Sequence, residues 1–390
     1  MKANTIIIGG GVAGASVAYH LAERGMTDVI VLERCPVTGL GSTGKATGGV
    51  RAQFETDVNI KQSLYSLDFF RDWEWNAEYD PKGYIFLATS ELHLEYLTRT
   101  LQRQRELGYK EVHLVTQSEI AKMVPGLNVE DIVGGSFGPR DGFIDPLAVL
   151  RGFIAGAERR GVRLLTGVEV QKLVVERDRI TKVQTQDGVI ECENVVLAAG
   201  AWSSPIAASV GIDLPVRPQR RQIAWAHAPE PLPVSTPMVI DLTDGFHFRP
   251  AKDFTHGAAA AGPHDVLFAW PDPDEPSSFS TKFDEGFLEK VRDRAAHRAP
   301  FLTNARIVRE KCRAGLYENT PDHHAILGPS PIQGLYLATG FSGHGVMHSP
   351  ATGRAVSEYI LDGKVTFLDV SQLSFERFEK SELLHETSFI

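Results

Sequence analysis

The feature that most constrains this chain is a glycine triplet near its start, Gly9-x-Gly11-x-x-Gly14, set between an apolar run and a helical repeat. Thr5–Ile8 reads as a short buried strand. Val12–Arg24 has helical spacing, with Val12, Ala15, Val17, Ala18 and Leu21 able to share one side. Gly25 stands where a helix commonly ends on a glycine. Val29–Leu32 is a second buried strand and closes on Glu33. Together they predict a strand-helix-strand unit of about 30 residues. Each glycine in such a unit has its own task. Gly9 permits the tight turn, Gly11 lets backbone approach a diphosphate, and Gly14 lets the helix pack on the strand. The helix start, at Val12 and Ala13, offers N–H groups and a partial positive charge to an anion. Glu33 suits ribose hydroxyls and would repel a 2′-phosphate, which argues against NADP. Arg34 is counted with the same dinucleotide site.

Composition narrows the class further. The chain has 390 residues, 43% hydrophobic and 23% charged, which is ordinary for a globular protein of two or three units. Forty Lys and Arg are interspersed with 49 Asp and Glu, so no basic block suggests nucleic acid as a partner. Cys35, Cys192 and Cys312 form no CxxC pair, so neither a metal site nor a disulfide framework is expected. Reduced cysteines suggest a cytoplasmic protein. The apolar run Ile6–Ile8 is too short for a signal peptide, and no stretch is long enough for a membrane span.

Further along, Gly39–Gly49 reads as a glycine-rich loop leading to Arg51, and Asn59–Glu74 as an amphipathic helix. Tyr84–Thr89 is strand-like and Glu91–Leu107 helical. Asp145 caps a helix over Pro146–Arg160. Strands follow at 162–165, 168–176, 180–185, 188–192 and 195–199. From Val216 to about Arg306, short strands such as Gln222–Ala226 and Gly245–Phe248 alternate with turns, with a surface loop at Pro271–Ser280 and a helix at Phe283–Arg294. Leu335–Thr339 is a last strand. A helix over Pro350–Leu361 takes Ser349 as its N-cap.

Six segments in this order resemble a known family: GGGVAG at 9–14, GSTGKATGGVR at 41–51, DGFIDP at 141–146, VVLAAGAWS at 195–203, AGLYENTPDHHAILG at 314–328 and GFSGHGVMHSPATG at 340–353. The chain resembles the D-amino-acid-oxidase-like FAD oxidoreductases, in the branch of sarcosine oxidase, glycine oxidase and the β subunit of dye-linked proline dehydrogenases. The resemblance implies an α/β fold: a Rossmann-type FAD-binding domain with an inserted α+β substrate domain carrying a mainly antiparallel sheet. Residues 1–80, 145–215 and 310–390 would form the first, and 81–144 and 216–309 the second.

The resemblance also assigns residues. Ser42, Thr43 and Lys45, with Gly48 and Gly49, would pass along the FAD diphosphate and flavin edge. Val170 would read the adenine by its backbone, and Ala199, Gly200 and Trp202 would lie beside the cofactor. The turn with Gly343, His344, Gly345, Val346 and Met347 would face the flavin, with His344 acting as a cation or a donor. Relatives tether flavin through a cysteine or a histidine. The matching positions here are Gly315 and Lys45, so non-covalent FAD is expected.

Arg51 would grip a substrate carboxylate, while Met347 stands where many relatives carry a lysine anchor. His247 would line the pocket, and Tyr317 would lie near the flavin, with His324 flanking the same motif. The stretch Thr255–Gly262 has no lysine of the kind oxidases use with oxygen, which leans toward a dehydrogenase. The expected activity is oxidation of the C–N bond of an amino acid or secondary amine by hydride transfer to flavin N5. One alternative is a 2-hydroxy-acid oxidoreductase, with His247, His344 or His348 as base. Another is a non-catalytic FAD-binding subunit in a hetero-oligomer with an electron-accepting partner.

Overall fold

The computed structural model describes residues 1–251 and 262–387. The stretch Thr255–Gly262 therefore lies outside the described residues, apart from Gly262. The strand-helix-strand unit forms as the pattern requires: Thr5–Ile8, Val12–Glu23 and Val29–Glu33, with Gly25 at φ 87° after the helix. It nucleates a six-stranded sheet in the order Ile326–Pro329, Leu335–Thr339, Asn194–Leu197, Thr5–Ile8, Val29–Glu33, Arg163–Thr166. All neighbours are parallel except the first pair. Side chains alternate across a pleated strand, so a strand covered on both faces must be apolar throughout. Ile7, Val29 and Val31 meet the helices Val12–Glu23 and Ser349–Asp362. Ile6, Ile8, Ile30 and Leu32 meet Leu173, Ile180, Val183 and Ile190 of a three-stranded antiparallel sheet.

A nine-stranded sheet forms the second half of the molecule. It is antiparallel except where Met238–Asp241 runs parallel to Tyr84–Ala88. One face is packed by Ile85, Val239, Phe246, Phe248 and Phe268 with the helix Gly286–Arg298. Alternation turns their neighbours Tyr84, Ile240, His247 and Ala269 to the other face, where they border a cavity. The strand Arg313–Asn319 pairs along its whole length with Arg217–His227, so by hydrogen bonding it belongs to this sheet.

Several boundaries differ from the sequence reading. The expected loop at 39–49 contains a helical turn, Ser42–Lys45. The helix expected from Asn59 begins at Asp57. The last long helix begins at Ser349, and its N-cap is His348 rather than Ser349. The Ser349 hydroxyl instead donates backward to Val346 O at 2.8 Å, because a preceding turn already closes His348 N onto His344 O.

Candidate functional site

A cavity of about 440 Å³ opens where the strands Thr5–Ile8, Val29–Glu33 and Asn194–Leu197 end, against the free face of the larger sheet. Strand ends of an open parallel sheet are where ligands of this topology bind. The glycine turn is too tight for a side chain at Gly9 and Gly14, though not at Gly11. A Cβ on Gly9 would stand 2.2 Å from Ala198 O, and one on Gly14 would stand 2.0 Å from Gly9 O. Gly9, Val12 and Ala13 border the cavity, whereas Gly11 and Gly14 sit behind them. The N-cap residue Gly11 has no side chain to cap the helix, and the first helical N–H, Val12 N, donates to Thr43 Oγ1 at 3.1 Å. Thr43 keeps its own hydroxyl proton for a ligand. Ser42 does not, since its hydroxyl donates to Leu316 O at 2.8 Å and can only accept.

The Glu33 carboxylate is fixed by two backbone donors, Gly10 N at 3.0 Å and Cys35 N at 2.8 Å. The Arg34 guanidinium lies 3.7 Å from the centre of the Trp202 ring, and both border the cavity with Val170, Ala199 and Gly200. A helix start bordering the cavity, a fixed carboxylate and a wall of small residues suit a dinucleotide with a diphosphate. Lys45 and Gly315 face one another: a Cβ on Gly315 would lie 3.2 Å from Lys45 Cβ. Burial lowers the Lys45 ammonium pKa. Gly48 and Gly49 complete this side, and Gly49 leaves room for the Tyr84 hydroxyl, which a Cβ would strike at 1.9 Å.

Arg51 follows the strand Gly49–Val50 and is 2% exposed. Its guanidinium lies 3.9 Å from the Phe54 ring centre and donates to Gln53 O. Asp141 holds the backbone beside it, accepting from Ala52 N at 2.8 Å, Gln53 Nε2 at 2.8 Å and Tyr109 OH at 3.0 Å. Burial nevertheless pushes the Asp141 carboxyl up to about 7. On the far side, the tail residue Glu386 accepts from Glu55 N at 2.7 Å and Thr56 N at 3.2 Å, capping the helix that starts at Asp57.

His247 borders the cavity, and burial lowers its pKa to about 4. Its Nδ1 lies 2.9 Å from Gly245 O, which assigns the proton to Nδ1 and leaves Nε2 as an acceptor. Tyr317 also borders the cavity, and its phenol pKa is raised by burial. Its ring rests on Gly343, where a Cβ would come within 2.4 Å. Gly345, Val346 and Met347 continue this wall.

His344 departs from expectation. It is 3% exposed, packs edge-on to Phe54 at 4.9 Å and does not border the cavity. Burial first, then the Arg51 charge, holds its pKa well below the usual value, so it is neutral rather than a cation. His348 is likewise buried, 2.9 Å from Ser63 Oγ, with its pKa lowered to about 3. His324 is enclosed between Asp322 O and Thr56 Oγ1, and His323 takes its place on the wall.

Sequence reasoning missed three groups. Glu318 borders the cavity, accepts from Thr339 Oγ1 at 2.7 Å and Gly340 N at 3.0 Å, and is pushed up to about 7 by burial. Arg221 and Trp270 enter from the larger sheet. Glu318 sits inside the 314–328 segment and was within reach of the reading. Arg221 and Trp270 carry no motif.

Known proteins agree with this geometry. The model of the family described as FAD dependent oxidoreductase, DAO, matches residues 4–359. The chain is 33% identical to FAD-dependent oxidoreductase domain-containing protein 1 of Xenopus laevis, over 100% of this chain and 85% of that protein. Among solved structures, L-proline dehydrogenase from P. horikoshii matches with a TM-score of 0.88 at 30% identity, over 98% of this chain and 99% of that one. Glycine oxidase from Geobacillus kaustophilus matches with a TM-score of 0.82 at 26% identity, over 96% and 99%. A turn that admits no Cβ at Gly9 or Gly14 and a match along most of the chain lead to one conclusion: this chain belongs to the DAO family of FAD-dependent oxidoreductases.

Proposed function

We propose that this oxidoreductase binds FAD non-covalently and oxidises the C–N bond of a small amine that carries a carboxylate. The observation that carries the reading is Arg51: a buried guanidinium on the cavity wall that also holds Tyr317, His247 and the turn Gly343–Met347. A guanidinium fork matches a carboxylate in two hydrogen bonds and fixes the rest of the molecule in orientation. Bound FAD would supply the hydride acceptor, at flavin N5. The substrate carbon gives up hydride, the nitrogen lone pair closes a C=N bond, and the nitrogen proton passes to water. Neutral His247 and the un-ionised Tyr317 phenol add no negative charge that would hold the amine as an ammonium, so neither opposes its unprotonated form. Lys45 and Gly315, side by side, supply neither thiol nor imidazole for a tether. The names of the two structural relatives, a proline dehydrogenase and a glycine oxidase, support an amino-acid substrate. An open cavity argues against a purely scaffolding subunit.

A 2-hydroxy-acid oxidoreductase is the second reading. His247 favours it, because an imidazole with its Nδ1 proton held by Gly245 O has Nε2 ready to take a hydroxyl proton. Anaerobic mixing with amino acids, N-methyl amino acids and hydroxy acids separates the two. Loss of yellow flavin absorbance with amines, and not with hydroxy acids, is expected. Bleaching by hydroxy acids alone would reverse the order.

A further inference from the structure

Arg221 is a cation on the cavity wall that the reading above leaves without a task. It lies on the strand Arg217–His227, directly opposite Gly315 in the ladder. Opposed residues of an antiparallel pair point to the same side, as do residues two apart. Arg221, Gly315 and Tyr317 therefore share the face toward the cavity, and all three border it. The Arg221 guanidinium carbon lies 5.6 Å from the centre of the Tyr317 ring.

Its hydrogen bonding is incomplete. Nη1 makes two long contacts, with Arg220 O at 3.3 Å and Asp272 O at 3.5 Å. Nε is shut off from solvent with no partner among the described residues. The nearby carboxylates are engaged elsewhere: Glu275 pairs with Arg220 at 3.0 Å and Asp272 with Lys290 at 2.5 Å. An arginine has five donors and keeps its charge even when burial opposes it. A half-buried cation with one donor shut off from solvent and unsatisfied is costly unless an anion arrives to meet it.

The phosphates of a dinucleotide would be met at the other wall, where the helix start at Ala13 and the Thr43 hydroxyl border the cavity. Arg221 stands on the larger sheet, and Tyr317 lies in the field of both Arg221 and Arg51. Arg51 and Arg221 both border the same cavity, and two guanidinium groups on its wall describe a site for two negative groups.

We propose that Arg221 receives a second carboxylate of the substrate, so that the amine oxidised here is a dicarboxylate, such as an acidic or an N-carboxyalkyl amino acid. The inference rests on the amine reading for the reaction, but not for the binding. In the proposal, Arg51 takes the carboxylate near the reacting carbon and Arg221 takes the distal one.

The test uses FAD-loaded wild type, Arg221→Met and Arg221→Lys. Iminodiacetate, glutamate and aspartate are compared with sarcosine and proline in anaerobic flavin reduction. Succinate, glutarate and acetate are titrated separately as non-reacting ligands, read by the shift of the flavin absorbance bands. Dicarboxylates should be preferred by wild type. Arg221→Met should raise the half-saturating concentration of dicarboxylates by on the order of 100-fold and leave monocarboxylates within about threefold. Arg221→Lys should recover part of the loss. Equal effects on mono- and dicarboxylates, or no effect on either, overturn the proposal while the amine reaction stands. Loss of FAD by Arg221→Met, with Arg221→Lys also poorly loaded, assigns the guanidinium to the cofactor and overturns it too. If no amine reduces the flavin but succinate or glutarate binding still depends on Arg221, the amine reaction falls and the second anion site survives.

Discussion

At the scale of single residues, the buried carboxylates give the sharpest expectations. Glu318 holds its proton more tightly in the fold than in the unfolded chain, because burial raises its pKa to about 7. Stability linked to such a group is full below the unfolded value and is lost as pH rises through the folded one. Glu318→Gln should therefore be no more stable than wild type at about pH 4, and should gain on it steadily between about pH 5 and pH 8. Thermal unfolding of both proteins across that range checks this. A constant difference would mean that Glu318 ionises freely. Arg51 was legible in the sequence because it closes a glycine-rich segment that reads as a unit. The Asp141 cluster that holds its backbone was not, since Ala52, Gln53 and Tyr109 converge on Asp141 only after folding. His344, expected to face the flavin as a cation or a donor, went astray for the same reason: only packing against Phe54 shows it to be neutral and enclosed.

At the scale of elements, the helix Asp57–Asp72 depends on a residue from the far end of the chain. Thr56 makes no side-chain cap of its own, and the Glu386 carboxylate takes the Glu55 and Thr56 N–H groups instead. A carboxylate at a helix start also meets the positive end of its dipole. Glu386→Ala should lower unfolding free energy by about 1–2 kcal/mol, the usual worth of a cap. Because the capped segment begins just after Arg51, the variant should also need more substrate at an unchanged FAD content. Denaturant unfolding and a saturation curve on the same preparation test both, and a variant with wild-type stability would rule out the capping role. The elements that were legible are those with local signals: Gly25 after the first helix, and Asp145 before Pro146. The Ser349 N-cap failed because a turn with no regular period, His344–His348, had already begun the winding.

At the scale of the whole molecule, the site exists only because two sheets meet. The six-stranded sheet offers strand ends and a helix start, and the nine-stranded sheet offers one face. The first was legible, because Thr5–Ile8 and Val29–Glu33 are apolar on both faces and follow each other closely in sequence. The second was expected as a mainly antiparallel sheet, but its pairing was not legible, because its longest ladder joins Arg217–His227 to Arg313–Asn319 across a long stretch of sequence. Arg221 went unseen with that ladder. The central claim is that a carboxylate-bearing amine reaches flavin across a cavity governed by Arg51. Anaerobic titration of FAD-loaded wild type and Arg51→Ala with one reducing amine tests it most directly. The account predicts that both proteins keep their FAD and that the variant needs on the order of 100-fold more amine for the same extent of bleaching. A variant that bleaches as readily as wild type, or a wild-type protein that refuses FAD, would contradict it.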